Sequence, residues 1–272
     1  MLLLWIVLFA AFGGIASAAF AIAFLWVSEE RSARLLPHFV SFATGALLGA
    51  ALLALLPEAM EGAGTSGAHD IGLALVLGLG IFFVIEKLVL WWHTHAVDEE
   101  AADEHGHHHG CEHLHQGHDH VRERASGALV LVGDSVHNAL DGVLIAAAFL
   151  RSPSLGLVTT LAVAAHEIPH RVGDFAILVH AGLSRGRALL LNLATGIASV
   201  IGAIAAYFAL RQALGYLPYA LAFAAAGFLY IAVAGLIPGL HRRADPLTSA
   251  TQVVLIALGV AVIACAERLT LR

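Results

Sequence analysis

The chain has 272 residues, of which 59% are hydrophobic and only 12% charged, and its mean hydropathy is +0.83. That leaves too little polar surface for a water-soluble globule, so the chain reads as an integral membrane protein. A net charge of −6, without a basic stripe carrying interleaved aromatics, excludes nucleic-acid binding as a main function.

Eight apolar blocks, each long enough to cross the hydrocarbon as a helix, succeed one another along the chain. The first, Leu2 to Val27, contains the small-residue run Ala16-Ser17-Ala18. We read it as a retained helix and not a cleaved signal, because no Lys or Arg precedes it and the apolar run continues past Ala18. The second block runs from Phe39 to Met60 and the third from Ile71 to Trp92, so residues 1–92 hold three helices. Small residues in "GALLGAALLALL" and "GLALVLGLG" allow close helix packing. A β-barrel would show short alternating segments instead, and the expected fold is an all-α bundle of eight transmembrane helices.

Residues 93–125 form the expected histidine-rich connection. The stretch from His93 to Arg124 holds ten histidines, Cys111 and many carboxylates, and it cannot build a packed core. His105, His107, His108, His109, Cys111, His113, His115, His118 and His120 suit a borderline-soft divalent metal such as zinc, in interchangeable ligand sets. With Cys265 as the only other cysteine, a disulfide framework is not indicated.

The fourth and fifth blocks, Gly127 to Leu150 and Leu155 to Leu183, occupy residues 126–184 and carry polar groups at membrane depth. His137, Asn138 and Asp141 stand at i, i+1, i+4, and so do His166, Glu167 and His170. Each triplet lies on one side of its helix. Burying such groups costs several kcal/mol unless they are paired, so two matched triplets point to an ion site between these helices. Pro169 cannot donate to the carbonyl of Ala165, and a kink is expected there. Residues 185–272 supply the last three helices, Leu189 to Leu210, Pro218 to Leu240 and Ser249 to Leu269.

Short cytoplasmic connections retain positive charge. With an external N-terminus, the cytoplasmic breaks hold Arg31, Arg34, Arg122, Arg124, Arg185, Arg187, Arg242 and Arg243, against Arg151, Arg211, Arg268 and Arg272 outside. Both termini are therefore expected outside the cytoplasm and the histidine-rich connection inside it.

"HNALDG" in the fourth helix and "HEIPHRVGDFAIL" in the fifth resemble the paired signatures of the Zrt/Irt-like (ZIP) metal transporters, LIV-1 subfamily. "LLPEAM" closing the second helix, "EKLVLWWH" closing the third and the histidine-rich stretch after it extend the resemblance over most of the chain. The resemblance implies a binuclear metal site of His137, Asn138, Asp141, His166, Glu167 and His170, with metal moving towards the cytoplasm. It also implies inverted repeats flanking the fourth and fifth helices, and a homodimer. His, Asn and carboxylate ligands suit Zn²⁺ as the transported substrate, with Fe²⁺, Mn²⁺ or Cd²⁺ as further candidates. Metal binds neutral imidazole, so uptake is expected to fall below about pH 6.5.

The chain departs from the pattern twice. Arg171 stands where H-E-I-P-H-E has its last glutamate, and Ala54 where subfamily members often carry histidine. An always-charged guanidinium beside the site repels metal unless it pairs with Glu167 or Asp174, and capture of Glu167 removes a ligand. One alternative reading is therefore a transport-silenced metal sensor or scaffold. A zinc protease using His166, Glu167 and His170 is the other, disfavoured because Asp141 precedes the H-E-x-x-H helix and Pro169 distorts it.

Overall fold

The computed structural model describes residues 1–25, 29–64, 67–102, 115–241 and 246–270, and the described residues are helical with no strand among them. The helices are α1 (Leu2–Leu25), α2 (Glu29–Gly49), α3 (Leu56–Ala63), α4 (Ala68–Ala102), α5 (His115–Arg151), α6 (Pro153–His180), α7 (Arg185–Arg211), α8 (Leu217–Tyr230), α9 (Ile237–Leu240) and α10 (Pro246–Thr270). Two π-helical segments interrupt this order. Ala50–Leu55 joins α2 to α3, and Ile231–Leu236 joins α8 to α9.

Six stretches are long and apolar enough to cross a membrane: Arg34–Ala63, Ala68–Leu88, Val130–Arg151, Arg185–Arg211, Leu214–Leu240 and Leu247–Leu269. Leu2–Ser17 is a shorter apolar helix. The remaining expected crossing, α6, is 28 residues long but carries His166, Glu167, His170, Arg171 and Asp174, which dilute its hydropathy. Among the described residues, each of the eight apolar blocks lies mostly on helical backbone.

The histidine-rich connection differs from expectation at both flanks. Helix α4 continues past Trp92 to Ala102, and α5 already begins at His115, so helical backbone occupies much of 93–125. His115, His118 and His120 lie in the first turns of α5. His105, His107, His108, His109, Cys111 and His113 fall outside the described residues.

Local chemistry fixes how α6 is placed. Ser152 is the only residue between α5 and α6; its Oγ accepts from Leu155 N at 3.2 Å and Pro153 takes the first turn, where its missing N–H costs nothing. At the other end Gly182, at φ +83°, closes a Schellman motif, with Leu183 N donating to Leu178 O and Gly182 N to Val179 O. Between these caps α6 is continuous through Pro169. Two π segments also interrupt the helical backbone, each followed directly by a Leu-Pro or Ile-Pro pair.

Packing places α6 in the middle. It contacts α1, α2, α5, α7 and α10, while α5 lies most extensively on α7, and α2 on α10. Glycines set those last two approaches. A Cβ on Gly142 would lie 1.8 Å from Ser199 O, and one on Gly202 2.0 Å from Ala139 O. Gly45 and Gly259 do the same for α2 and α10, at 2.0 Å from Ile256 O and 2.3 Å from Phe42 O. Backbone-to-backbone contact of this kind is how membrane helices gain dispersion energy where no hydrophobic drive exists between them. The core is rich in alanine from the second crossing, α5 and α8, whereas α4, α7 and α10 turn Leu77, Ile81, Ile197, Ile201, Val253 and Leu258 outward, as a lipid-facing surface requires.

Candidate metal centre

Helices α5 and α6 form an antiparallel hairpin around their single connecting residue. Asp141 meets His166, His137 meets both His166 and His170, and Asp134 meets His170, so partners run in opposite chain order. The two expected triplets therefore face each other, as their matching spacings require.

Four of the six expected ligands converge. His137, Asp141, His166 and Glu167 each offer a ligand atom, all within 4.8 Å of one another. His166 Nε2 lies 3.2 Å from His137 Nε2 and 3.3 Å from Asp141 Oδ2, and His137 Nε2 is 3.8 Å from the same oxygen. His166 Nδ1 sits 3.1 Å from Ala162 O. A carbonyl only accepts, so Nδ1 carries the proton and the Nε2 lone pair of the neutral ring faces the cluster. Asp141 Oδ2 and both Glu167 oxygens are buried and without a hydrogen-bond partner. Buried anionic oxygens in that condition are costly unless a cation is nearby.

His170 stands apart from these four. Its ring stacks on His137 with centroids 5.1 Å apart, but its Nδ1 faces Asp174 Oδ2 at 2.9 Å and Asp134 Oδ1 at 3.7 Å. Asp134, His170 and Asp174 form a second group with potential ligand atoms within 4.8 Å of each other.

Asn138 is engaged elsewhere. Its Nδ2 donates to Asp134 O and Oδ1, both at 2.9 Å, while its Oδ1 accepts from Arg171 Nη2 at 3.0 Å. Arg171 is completely buried. Its Nε donates to Ser17 Oγ at 2.8 Å, and its Nη1 donates to Asn192 O, to Asn192 Oδ1 at 3.0 Å and to Thr195 Oγ1 at 3.4 Å. Asn192 Nδ2 returns a bond to Arg171 O at 3.0 Å. Glu167 Oε2 lies 2.6 Å from Arg171 Nε, but that N–H is directed at Ser17, so the contact is an ion pair without an aligned hydrogen bond. Of the two acids that the sequence offers to Arg171, Glu167 is the one it meets.

Room for the guanidinium comes from two glycines. Its Nη2 would lie 3.3 Å from a Cβ at Gly196 and 3.6 Å from one at Gly14. Nothing in the sequence alone points to Asn192, Ser17, Thr195 or these glycines, because their relation to position 171 exists only once α1, α6 and α7 are packed. Asp174 carried a local signal, since it stands four residues after His170 on the same helix face.

A family model described as "ZIP Zinc transporter" matches residues 2–267. The chain is 34% identical over 247 residues to "Zinc transporter ZIP13" of Pongo abelii, an alignment covering 86% of this chain and 67% of that protein. It is 32% identical over 279 residues to "Zinc transporter zipt-7.1" of Caenorhabditis briggsae, covering 89% and 71%. The identity to "Zinc transporter SLC39A7" of Mus musculus is 32% over 315 residues, covering 91% and 66%.

Proposed function

The chain belongs to the ZIP family of zinc transporters, a multi-pass membrane family of transporters and not of enzymes, and we propose that it carries Zn²⁺ towards the cytoplasm between α5 and α6. The observation that carries this reading is the convergence of His137, Asp141, His166 and Glu167, with Asp141 Oδ2 buried and unpartnered and His166 Nε2 facing inward. Two imidazoles and two carboxylates match the donors Zn²⁺ takes when thiolates are absent, and the same set accepts Fe²⁺, Mn²⁺ or Cd²⁺. Ligands that are neutral or weakly held exchange readily, as a translocated ion needs. In this reading the chain crosses the membrane eight times with both termini outside, the histidine-rich stretch gathers metal on the cytoplasmic side, and the protein works as a homodimer.

The ion pair between Arg171 and Glu167 favours one second reading, a transport-silenced sensor or scaffold. Zinc uptake into liposomes by the native chain, Arg171→Glu and His166→Ala separates the two. Flux in the native chain that His166→Ala abolishes supports transport. No native flux, with flux gained in Arg171→Glu, supports silencing.

A further inference from the structure

We propose that Asp134, His170 and Asp174 form a second divalent-cation station, and that the Arg171 guanidinium is a built-in cation filling the place between it and the cluster of His137, Asp141, His166 and Glu167. The proposal rests on the metal-transport reading above and refines where the ions sit.

Arg171 engages two of the six expected ligands, Asn138 through its Oδ1 and Glu167 through Oε2 alone, which leaves Glu167 Oε1 without a partner. Its Nη2 holds Asn138 Oδ1 at 3.0 Å and its Nε sits 2.6 Å from Glu167 Oε2. A second ion bound between Asn138 and Glu167 would meet a fixed positive charge, fastened by Ser17, Asn192 and Thr195 and seated against Gly14 and Gly196. A guanidinium keeps its charge at any working pH, so nothing short of moving it clears that position.

Donors free of Arg171 lie further along the hairpin. Asp134 is 3% exposed, and its Oδ2 is buried with no hydrogen-bond partner. A carboxylate oxygen left unsatisfied at membrane depth is destabilising, and a cation offsets that cost. Asp174 is 8% exposed and its Oδ2 accepts from His170 Nδ1 at 2.9 Å, with Asp134 Oδ1 3.7 Å from the same nitrogen; a divalent ion bound here takes the place of that Nδ1 proton. Two carboxylates and one imidazole balance the charge of one divalent ion with a borderline donor set. The His170 side chain is 41% exposed, so an ion can reach the group from outside the core.

The placement forms a route. Asp134 precedes Asp141 by about two turns, roughly 10 Å along α5. His170 and Asp174 follow His166 on the antiparallel α6, so both helices step towards the end where the chain enters α5 from the histidine-rich stretch. The stacked His137 and His170 rings join the two stations.

The test is the anomalous scattering of Cd²⁺ in crystals of the full chain, native and Asp174→Asn. Two peaks are expected in the native helical core, one within each group, and Asp174→Asn should lose the outer peak while keeping the inner one. In liposomes the same variant should take up zinc at least tenfold more slowly at limiting zinc. An inner peak alone, or a peak beside Asn138 with Arg171 displaced, overturns the second station and leaves the transport reading standing. Absence of Cd²⁺ from both groups overturns both. If Asp174→Asn does not fold, the native map alone decides.

Discussion

Arg171 and Glu167 form an ion pair one helical turn apart on α6, with Nε 2.6 Å from Oε2 and both side chains at most 1% exposed. Neither charge is solvated, so each depends on the other. Removing one partner of such a pair leaves a buried uncompensated charge, at a cost of about 3–5 kcal/mol. Arg171→Gln should therefore lose about that much stability, and the double variant Arg171→Gln/Glu167→Gln markedly less. Denaturant unfolding of the four species in one detergent gives the cycle. Additive losses from the two single changes would show that the pair is not coupled.

Asn138 separates a ligand role from a positioning role. Its Oδ1 is held by Arg171 and its Nδ2 by Asp134. Asn138→Ala should leave the Zn²⁺ affinity of the inner cluster unchanged but lower stability by about 1–3 kcal/mol, because a buried Arg171 N–H loses its acceptor. Isothermal titration beside unfolding reads both. A large loss of zinc affinity at unchanged stability would return Asn138 to the ligand set.

His166 should behave in the opposite way. Its Nε2 faces the cluster with Nδ1 pinned to the Ala162 carbonyl. His166→Ala removes a donor outright, and disturbing even a supporting group of a metal site costs 10- to 100-fold in affinity. Zinc affinity should thus fall at least about tenfold, with transport lost in liposomes. Unchanged uptake would place the ion path elsewhere.

Much of this arrangement is legible in the chain. The long apolar blocks locate the helices, since length and hydropathy are local properties, and the i, i+1, i+4 spacing of the two triplets predicts facing polar sides. Pro169 lies within a continuous helix, as a membrane helix tolerates, while the π segments at 50–55 and 231–236 lie in plain apolar sequence that carries no signal for them. Among the six expected ligands, the pairing of His170 with Asp174 follows from helical spacing, whereas the bonding of Asn138 to an Arg171 held by Ser17, Asn192 and Thr195 depends on side chains from α1 and α7. No spacing within α5 or α6 encodes them. The long flanking helices around the histidine-rich stretch were hidden for another reason: its composition argues against a packed core, but not against helix continuing past the apolar surface.

Glycines in this bundle divide by what surrounds them. Gly142 and Gly202 face backbone across the α5 and α7 contact, whereas Gly72 and Gly80 on α4 have open space where a Cβ would stand. Gly142→Ala or Gly202→Ala must push two helices apart, costing about 1–3 kcal/mol or more as overpacking does. At Gly80 the same change should be neutral or gain up to about 1 kcal/mol from helix propensity. Thermal unfolding of the three variants checks the contrast, and equal effects at all three positions would refute close contact between α5 and α7.

The ion pair between Arg151 and Glu58 is the exposed counterpart of the buried one. Arg151 Nε lies 2.6 Å from Glu58 Oε2, joining the last turn of α5 to α3, but the side chains are 37% and 21% exposed. Water and salt screen such a pair, which contributes at most about 1 kcal/mol. Arg151→Ala should accordingly cost far less than Arg171→Gln, and its cost should shrink as salt is raised while that of Arg171→Gln stays constant. Unfolding of both variants at low and high ionic strength measures this. Equal salt dependence would mean that the Arg171 site is reached by solvent ions, against the burial that keeps its guanidinium locked between Asn138 and Glu167.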